Sequence, residues 1–222
     1  MTFGLSLGCV HTFFPCKNKD AVITLYRENF KDEINAIELT MSEKDFKNFN
    51  LSQVNFEWLR NMKHISLHLL GPVPSYKKIM SMIKRNKLRV NNFICHVYSK
   101  GTIPQFFKDE FGQFILIENI ERDFSLFPDE FHICFDYSHA IKNGIEFATK
   151  FVNLNQYSIK QIHLSNTINN VCHRPFIKEM YHFDIAKGVI DLHNYPIIVE
   201  SVCNDIQELK EEVKFLKRRI YN

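Results

Sequence analysis

The sequence predicts an α/β fold, namely a compact (β/α)8 barrel that forms one domain over residues 1–222. The first observation is that eight short apolar runs alternate with longer amphipathic segments. The second is that 45% of the residues are hydrophobic and no Gly/Ser/Pro-rich linker divides the chain, which suits one large core. Strands that alternate with helices form a parallel sheet, and eight parallel strands close into a barrel.

The apolar runs are largely continuous, as in strands that are buried on both faces. The predicted strands lie at residues 3–9, 34–39, 64–70, 92–98, 114–117, 131–135, 159–164 and 196–200. The strands at 114–117 and 131–135 are each followed by one acidic residue, Glu118 and Asp136. An ionised carboxylate beside a buried strand is costly unless it is paired or binds a metal, so two of them on successive strands suggest a common cation.

The segments between the strands carry apolar residues at helical spacing. The predicted helices lie at residues 19–30, 51–62, 76–88, 103–111, 140–152, 185–192 and 205–220, and residues 165–180 are predicted to be irregular. In the last helix, Leu209, Val213 and Leu216 belong to one apolar stripe. A typical barrel of this kind has about 250 residues, so this chain needs short connections, above all between the fifth and sixth strands.

An open, doubly wound sheet is the structural alternative for the same order of elements. It would need a Gly-rich phosphate-binding turn after the first strand. The sequence at that place, SLGCVHTFF at residues 6–14, is not such a turn. The barrel is therefore favoured.

Composition favours a cytoplasmic protein that is not in a membrane. The first residues form no basic leader, and no apolar stretch approaches the roughly 20 residues that cross a bilayer. The cysteines are scattered without the spacing of a metal finger, which is typical of reduced thiols. They are Cys9, Cys16, Cys95, Cys134, Cys172 and Cys203.

The charge balance argues against nucleic acid as the main partner and leaves a small-molecule substrate as the expected one. The chain has 28 basic and 25 acidic residues, which gives a net charge of +3. The densest basic run, at residues 214–219, ends the last predicted helix. Positive charge there complements the helix dipole without any ligand.

Polar residues occur late in six successive predicted strands, from the third to the eighth. They are His68, His96, Glu118, Asp136, His163 and Glu200. Active sites of (β/α)8 barrels lie at the C-terminal ends of the strands, so these side chains should meet. A single strand histidine is more often a core residue than a ligand, but three carboxylates in one pocket repel each other unless a cation is present.

The set therefore predicts a bound divalent metal ion. Carboxylate and imidazole ligands suit Mn, Zn, Co, Fe or Mg, and the ligand types do not choose among these metals. Glu38 ends the second strand and could complete the ring of ligands, although an acid in a strand-to-helix turn is also ordinary.

Four further residues are candidates for substrate binding. His139 follows Asp136 by three residues, which is one helical turn, so both can face the same place. His11 follows the first strand, and His173 and Arg174 lie in the connection after the seventh. Arg174 can meet an anionic group of a substrate, although an exposed loop arginine is usually only solvated.

The motifs at the strand ends resemble those of a known family. They are IEN at Glu118, FDYSHA spanning Asp136 and His139, IHLSN at His163 and IVES at Glu200. With these motifs the chain resembles the xylose-isomerase-like TIM barrels, which include sugar and sugar phosphate isomerases and epimerases and the DNA-repair enzyme endonuclease IV. The resemblance covers most of the chain, is strongest over residues 94–201, and lies in the order of the motifs.

The resemblance implies roles for the candidate ligands. It implies one metal site, shared by the family, formed by Glu118, Asp136, His163 and Glu200. His68 in SLH and His96 in ICH further resemble endonuclease IV, whose extra histidines hold a second metal that the glutamate bridges.

Endonuclease IV also holds a third metal, and there the resemblance is incomplete. The histidines of that site match His139 and His173, but Val171 stands at the position of its aspartate. Cys172 could replace the aspartate only if its thiol pointed the same way, which adjacent residues in an extended loop seldom do. We therefore expect no complete three-metal cluster, and we expect both histidines to donate hydrogen bonds to a substrate oxygen or to metal ligands.

Three functions fit these residues. The preferred one is an isomerase or epimerase for a sugar, sugar phosphate or related small polyol, in which a metal polarises a carbonyl and Glu118 and Glu200 exchange a proton with the adjacent carbon. The second is metal-assisted phosphodiester hydrolysis, which explains His68 and His96 better, although short loops and balanced charge argue against a DNA substrate. The third is a barrel that binds metal without turnover.

Overall fold

In the computed structural model, residues 1–14, 18–70, 76–96, 105–119 and 131–221 are described. The strands are β1 (Phe3–Ser6), β2 (Ala36–Ser42), β3 (His64–Leu70), β4 (Asn92–His96), β5 (Ile115–Glu118), β6 (His132–Asp136), β7 (Ile159–Leu164), β8 (Asn166–Ile168), β9 (Val171–Arg174) and β10 (Ile197–Val199). β8 and β9 form an antiparallel hairpin, and the other eight strands are parallel and close into a barrel, in which β1 pairs with both β2 and β10. The predicted α/β fold class with a (β/α)8 barrel is confirmed.

Helices surround the barrel and bury their apolar faces against it. They are α1 (Lys19–Phe30), α2 (Asp45–Asn48), α3 (Gln53–Arg60), α4 (Tyr76–Arg85), α5 (Gln105–Phe111), α6 (Tyr137–Lys142), α7 (Ile145–Asn155), α8 (Tyr181–Val189) and α9 (Ile206–Tyr221). The predicted stripe of α9 is buried, including Leu209, Val213 and Leu216. Within the described ranges, no helix is both long enough and apolar enough to cross a membrane.

Side chains alternate along the barrel strands between two environments. One set joins the main core between the strands and the helices, for example Phe93 and Ile115. The other set faces the barrel interior, where Ile94, Leu116 and Cys134 form a small separate cluster. The interior also holds buried polar side chains spaced two residues apart: His64, Ser66 and His68 on β3, and Gln161 and His163 on β7.

Two local features let the barrel close with these residues inside. A Cβ atom on Gly4 would lie 2.2 Å from the carbonyl oxygen of Ala36, so β1 approaches β2 too closely for any side chain. Between β6 and β7 the register shifts, because Ile133 pairs with Ile159 while Cys134 pairs with Gln161. This bulge leaves Lys160 unpaired and exposed, and Gln161 and the residues after it keep their alternation toward the interior.

Several predicted elements differ from the structure. The strand predicted at 3–9 ends at Ser6, whose hydroxyl accepts a hydrogen bond from the N–H of Gly8 (3.3 Å) and begins a 3₁₀ turn, Leu7–Val10. The single helix predicted at 140–152 is two helices, α6 and α7, because the chain turns at Gly144 with φ 105°, a conformation open to glycine.

The region predicted to be irregular, residues 165–180, contains the hairpin β8–β9 and a 3₁₀ turn, Phe176–Lys178. α8 begins at Tyr181, four residues before the predicted 185, and α2 was not predicted. The shortened connection between the fifth and sixth strands, Cys16, and the predicted residues 97–98 and 103–104 lie outside the described residues. The other five cysteines are free thiols.

Candidate metal centre

The six predicted ligands meet at the C-terminal end of the barrel. Five of them lie on β3 to β7, and Glu200 directly follows β10. One group with ligand atoms within 4.8 Å of one another consists of Glu118, Asp136, His163 and Glu200. A second such group consists of His68, His96 and Glu118, so Glu118 belongs to both.

Asp136 is held rigidly because its carboxylate begins helix α6. Its Oδ1 accepts hydrogen bonds from the hydroxyl of Ser138 (2.7 Å) and from the backbone N–H of His139 (2.8 Å). The side-chain amide of Asn119 forms two hydrogen bonds with the backbone of Asp136. Its Oδ1 accepts from the N–H (2.6 Å), and its Nδ2 donates to the carbonyl oxygen (2.9 Å). Oδ2 is buried and has no hydrogen-bond partner within the described part of the chain.

His163 also has a buried polar atom without a hydrogen-bond partner, at one of its ring nitrogens. Its Nε2 is 2.8 Å from Oε2 of Glu38. Its Nδ1 faces oxygens of Glu200 (3.2 Å), Glu118 (3.5 Å) and Asp136 (4.0 Å), but none of them is aligned for a hydrogen bond, so among the described residues this buried nitrogen has no partner. An unpaired buried polar atom is costly, and here two of them face each other.

A divalent cation between these groups would satisfy both unpaired atoms. Two ligands that bind one cation at about 2.0–2.2 Å lie at most about 4.4 Å apart. The ligand atoms already lie within 4.8 Å of one another, so a small inward movement of side chains suffices. The donor set of carboxylate and imidazole therefore fits a divalent metal.

Glu118 connects the two ligand groups through its two oxygens. Oε1 faces His163 at 3.5 Å, whereas Oε2 lies 3.0 Å from Nε2 of His68 and 2.9 Å from Nε2 of His96. The two histidine Nε2 atoms are 2.8 Å apart, so a proton or a cation must lie between their lone pairs. This geometry suits a carboxylate that bridges two cations.

The pKa values of two buried carboxylates of the centre, Glu118 and Glu200, are lowered, which favours their ionised form. Burial by itself raises the pKa of Glu118, but the charge of His68 and hydrogen bonds from the imidazoles outweigh it and lower the pKa well below its ordinary value. Burial also raises the pKa of Glu200, and His163 lowers it well below its ordinary value in the same way.

The pKa values of the imidazoles of His68 and His163 are raised instead. Burial lowers the pKa of His68, but the charges of Glu118 and Glu38 raise it well above its ordinary value. Burial also lowers the pKa of His163, which Cys134 and the buried carboxylates raise well above its ordinary value. Protons on the imidazoles therefore balance the carboxylates, and a metal ion must displace them in order to bind.

His139 and His173 lie beside Asp136, and their ring centroids are 4.9 Å apart. Nδ1 of His173 is 3.9 Å from Oδ2 of Asp136. The thiol of Cys172 donates a hydrogen bond to the carbonyl oxygen of Ser138 (3.6 Å). Burial lowers the pKa of His139, but the charge of Asp136 and the neighbouring thiol of Cys172 raise it to about 9.

Ligand atoms of Asp136, His139 and His173 lie within 4.8 Å of one another, and this group of described residues does not include Cys172. The expectation that Cys172 does not complete the site stays a prediction. His173 has a left-handed backbone conformation, with φ 59°. The absence of a third metal stays a prediction, and so does the role of both histidines as hydrogen-bond donors.

The two other predicted substrate-binding residues lie differently. His11 is exposed, and its Nδ1 contacts the carbonyl oxygen of Gly8 at 2.7 Å. No contact between described residues joins it to the ligand groups. Arg174 ends β9 and is half-buried next to His173, without an ion pair to any residue in the described ranges. Substrate binding by His11 and Arg174 stays a prediction.

Sequence reasoning gave too little weight to Glu38 and did not identify Ser66 or Gln161. All three are buried and hydrogen-bonded to one another beneath the ligand groups. The sequence did contain a signal for Ser66 and Gln161, because Ser66 precedes His68 by two residues and Gln161 precedes His163 by two. Residues two apart on a strand share a face, so a ligand predicts its neighbours on that face.

Comparison with known proteins does not identify a family: no family model matches the chain, and no curated protein matches it. The resemblance of the strand-end motifs to the xylose-isomerase-like barrels therefore stays a prediction. The metal centre is supported by the geometry of its own residues.

Proposed function

We propose that this protein is a divalent-metal-dependent isomerase or epimerase that acts on a sugar, a sugar phosphate or a related small polyol. The observation that carries the proposal is the pair of unpaired buried atoms, Oδ2 of Asp136 and Nδ1 of His163, between the ionised carboxylates of Glu118 and Glu200. A cation would satisfy this arrangement, and an ionised carboxylate beside it can act as a base and, once it has accepted a proton, as an acid. The metal would be Mn, Zn, Co, Fe or Mg.

Each residue of the centre has its own role in the proposed reaction. The bound metal would hold two adjacent substrate oxygens and polarise a carbonyl group. One of the carboxylates, Glu118 or Glu200, would accept a proton from the carbon beside that carbonyl, and the same carboxylate, now protonated, would return it to the neighbouring carbon in an isomerase. In an epimerase the opposite carboxylate would first take a proton from water and then deliver it to the other face of the carbon. Because both groups are ionised, either can act as the base.

The substrate can be held by groups around the centre. His139 and His173 lie beside Asp136 and can donate hydrogen bonds to a substrate hydroxyl. Arg174 is next to them in the chain and can pair with a phosphate or another anionic group. The free thiols of the described residues support a reducing compartment, so we place the protein in the cytoplasm.

A second candidate function is metal-dependent phosphodiester hydrolysis, as in an apurinic endonuclease. The observation that favours it is the second ligand group, in which Nε2 of His68, Nε2 of His96 and Oε2 of Glu118 lie 2.8–3.0 Å apart. Two cations bridged by one carboxylate suit displacement at phosphorus. The balanced charge of the chain ranks this function second.

Solvent deuterium exchange tests the proposed function. Protein loaded with Mn²⁺ is incubated in D₂O with ketohexoses and pentulose phosphates, and the products are examined by NMR and mass spectrometry. We expect deuterium at the carbon next to the carbonyl, because the carboxylate exchanges its proton with water. Glu200→Gln should abolish incorporation, whereas Glu211→Gln, the same change at an exposed residue of α9, should retain it.

The alternatives predict other outcomes in the same preparation. Metal-dependent nicking of abasic duplex DNA at physiological salt, without deuterium incorporation, would favour the phosphodiesterase. Tight Mn²⁺ binding with neither activity would favour a barrel that binds metal without turnover.

A further inference from the structure

The geometry points to Glu38 as a positioning residue that fixes the imidazoles of His68 and His163 in the orientation and tautomer that metal binding requires. This inference rests on the proposed metal centre. Glu38 on β2 was considered in the sequence as a possible further ligand, and its carboxylate lies within 4.8 Å of ligand atoms of His68, His163 and Glu200. The inference goes beyond the proposed centre by assigning to Glu38 control over both ligand groups at once.

Glu38 is completely buried and its carboxylate is saturated with donors. Oε1 lies 3.1 Å from Nδ1 of His68, and Oε2 lies 2.8 Å from Nε2 of His163. The hydroxyl of Ser66 (3.1 Å) and the amide of Gln161 (3.0 Å) also donate to Oε2. A carboxylate with four donors needs no cation, so Glu38 is not expected to be a ligand itself.

Each imidazole uses opposite nitrogens for Glu38 and for the ligand groups. In His68, Nδ1 lies nearest to Glu38, at 3.1 Å, and 3.5 Å from Oε1 of Glu200, whereas Nε2 faces Glu118 and His96. In His163 the order is reversed, because Nε2 faces Glu38 and Nδ1 faces the carboxylates of the first group. A metal-binding imidazole must present an unprotonated nitrogen to the ion and therefore carries its proton on the other one.

An ionised carboxylate can only accept hydrogen bonds, and this decides the tautomers. It requires N–H at Nδ1 of His68 and at Nε2 of His163. Once a metal ion has displaced the second proton of each ring, the opposite nitrogens carry the lone pairs that face the ligand groups. One side chain thus imposes two different tautomers, one in each group, and a partner of this kind also raises the basicity of a ligating imidazole.

Glu38→Gln separates this role from simple packing. The amide has nearly the same shape but offers one acceptor oxygen and one NH₂ donor, so only one imidazole can keep its N–H···O bond. The other imidazole must turn a lone pair toward the NH₂ group, which places its N–H toward the metal. We expect the affinity of one ligand group for Co²⁺ to fall roughly 10- to 100-fold.

Two variants serve as controls. Ser66→Ala removes another donor to Glu38 without touching either imidazole, so it should leave the Co²⁺ affinity within about threefold of the unmodified protein. Glu38→Asp keeps a carboxylate and should recover most of the affinity that Glu38→Gln loses. A purely structural role would make Ser66→Ala and Glu38→Gln alike in Co²⁺ binding.

NMR of the metal-free protein gives a readout that does not depend on metal or activity. The ring N–H protons at Nδ1 of His68 and Nε2 of His163 should both be seen in ¹H–¹⁵N spectra, protected from exchange with water, and Glu38→Gln should lose one of them. Should Glu38→Gln not fold, the unmodified protein and Glu38→Asp still decide the matter, because both must show the two protected protons.

The outcomes separate this inference from the proposed function. Absence of Co²⁺ binding by the unmodified protein would overturn the metal centre, while the two ring protons would still report on Glu38. The absence of either proton from the unmodified protein, or a Glu38→Gln variant with both protons and unchanged Co²⁺ affinity, would overturn the role of Glu38.

Discussion

Glu38 and Asp136 are both completely buried carboxylates on the inner face of one barrel, but their oxygens are satisfied differently. Both oxygens of Glu38 accept hydrogen bonds, and the donors include two imidazoles. In Asp136, Oδ1 accepts two hydrogen bonds, whereas Oδ2 accepts none from the described part of the chain.

The difference teaches how to tell a ligand from a residue that holds a ligand in place. Burial of a carboxylate is common to both and therefore does not decide the question. An unpaired oxygen beside other unpaired ligand atoms calls for a cation, whereas a saturated carboxylate already has its stabilising partners. Experiments that remove one kind of contact at a time can distinguish the role of Glu38 from that of Asp136.

The largest expected effect is that of Asp136→Asn on metal affinity. The variant can keep Oδ1 as the acceptor at the start of α6 and replaces the unpaired Oδ2 by an NH₂ group, which has no lone pair for a metal. The affinity for Co²⁺ should therefore fall by more than the roughly 10- to 100-fold typical of losing a partner outside the ligand set. Calorimetric titration measures the affinity, and elemental analysis counts the metals per chain.

Asp45→Asn is the matched control for that experiment. Asp45 is also a carboxylate that accepts hydrogen bonds at a helix start, from the N–H (2.7 Å) and the hydroxyl (2.8 Å) of Ser42, and it lies outside the ligand groups. It should leave Co²⁺ affinity unchanged. Equal affinities in the two variants would remove Asp136 from the ligand set.

Glu212 sharpens the comparison, because it is a buried carboxylate whose donors are neutral. It accepts hydrogen bonds from the backbone N–H groups of Phe176 (2.9 Å) and Ile177 (3.1 Å) and from the hydroxyl of Ser201 (3.0 Å). Burial raises its pKa from 4.5 to about 7 despite these bonds. Burial acts in the same direction on Glu38, but the two imidazoles lower that pKa.

This contrast predicts how stability depends on pH. Between pH 4.5 and 7 the folded protein holds a proton on Glu212 that the unfolded chain lacks. The contribution of Glu212 to the free energy of unfolding is therefore fully present below pH 4.5 and is lost as the pH rises through about 7. That loss amounts to about 3 kcal/mol.

Urea unfolding at about pH 5 and at about pH 8 measures how the free energy of unfolding depends on pH. Glu212→Gln should remove this dependence, because the amide does not titrate. Glu211→Gln, at the adjacent exposed residue, should keep it. If Glu212→Gln kept the same pH dependence of the free energy of unfolding, that dependence would belong to other groups.

A further prediction concerns the pH dependence of metal binding. The pKa values of His68 and His163 lie well above 6.5 in the metal-free protein, so a metal ion must displace a proton from each ring that it binds. Affinity for Co²⁺ should therefore increase with pH, from below 6.5 up to the raised pKa values, by about tenfold per pH unit for each proton released. Titrations at several pH values with a competing chelator measure the slope, and a flat profile would exclude both histidines as ligands.

Much of the fold could be predicted because continuous apolar runs define strands directly. β3 and β7 have the predicted bounds, and the ligands at the strand ends follow from where each apolar run stops. The hairpin β8–β9 could not be predicted in this way. Its short strands carry little apolar character, and the left-handed conformations at Asn169 and Asn170 in its turn, which asparagine tolerates, are a weak signal by themselves.

The role of Glu38 was hard to predict for a different reason. Its partners come from strands that are distant in sequence: Ser66 is 28 residues away, and His163 is 125 residues away. A pattern along one strand shows that a carboxylate is present but does not show which donors the closed barrel brings to it. Whether a buried acid is saturated or unpaired is decided by the fold as a whole.

The alternation of side chains along the barrel strands also limits how the gene can change in length. Deletion of one residue inside β7 would turn Gln161 and His163 toward the helices and bring Ile162 and Leu164 into the barrel. Strands can therefore accept substitutions but not single-residue insertions or deletions, unless a bulge such as the one at Lys160 absorbs the change. Divergence in length is therefore expected in the connections between strands and helices, where an insertion or deletion leaves the inward-facing ligands in place.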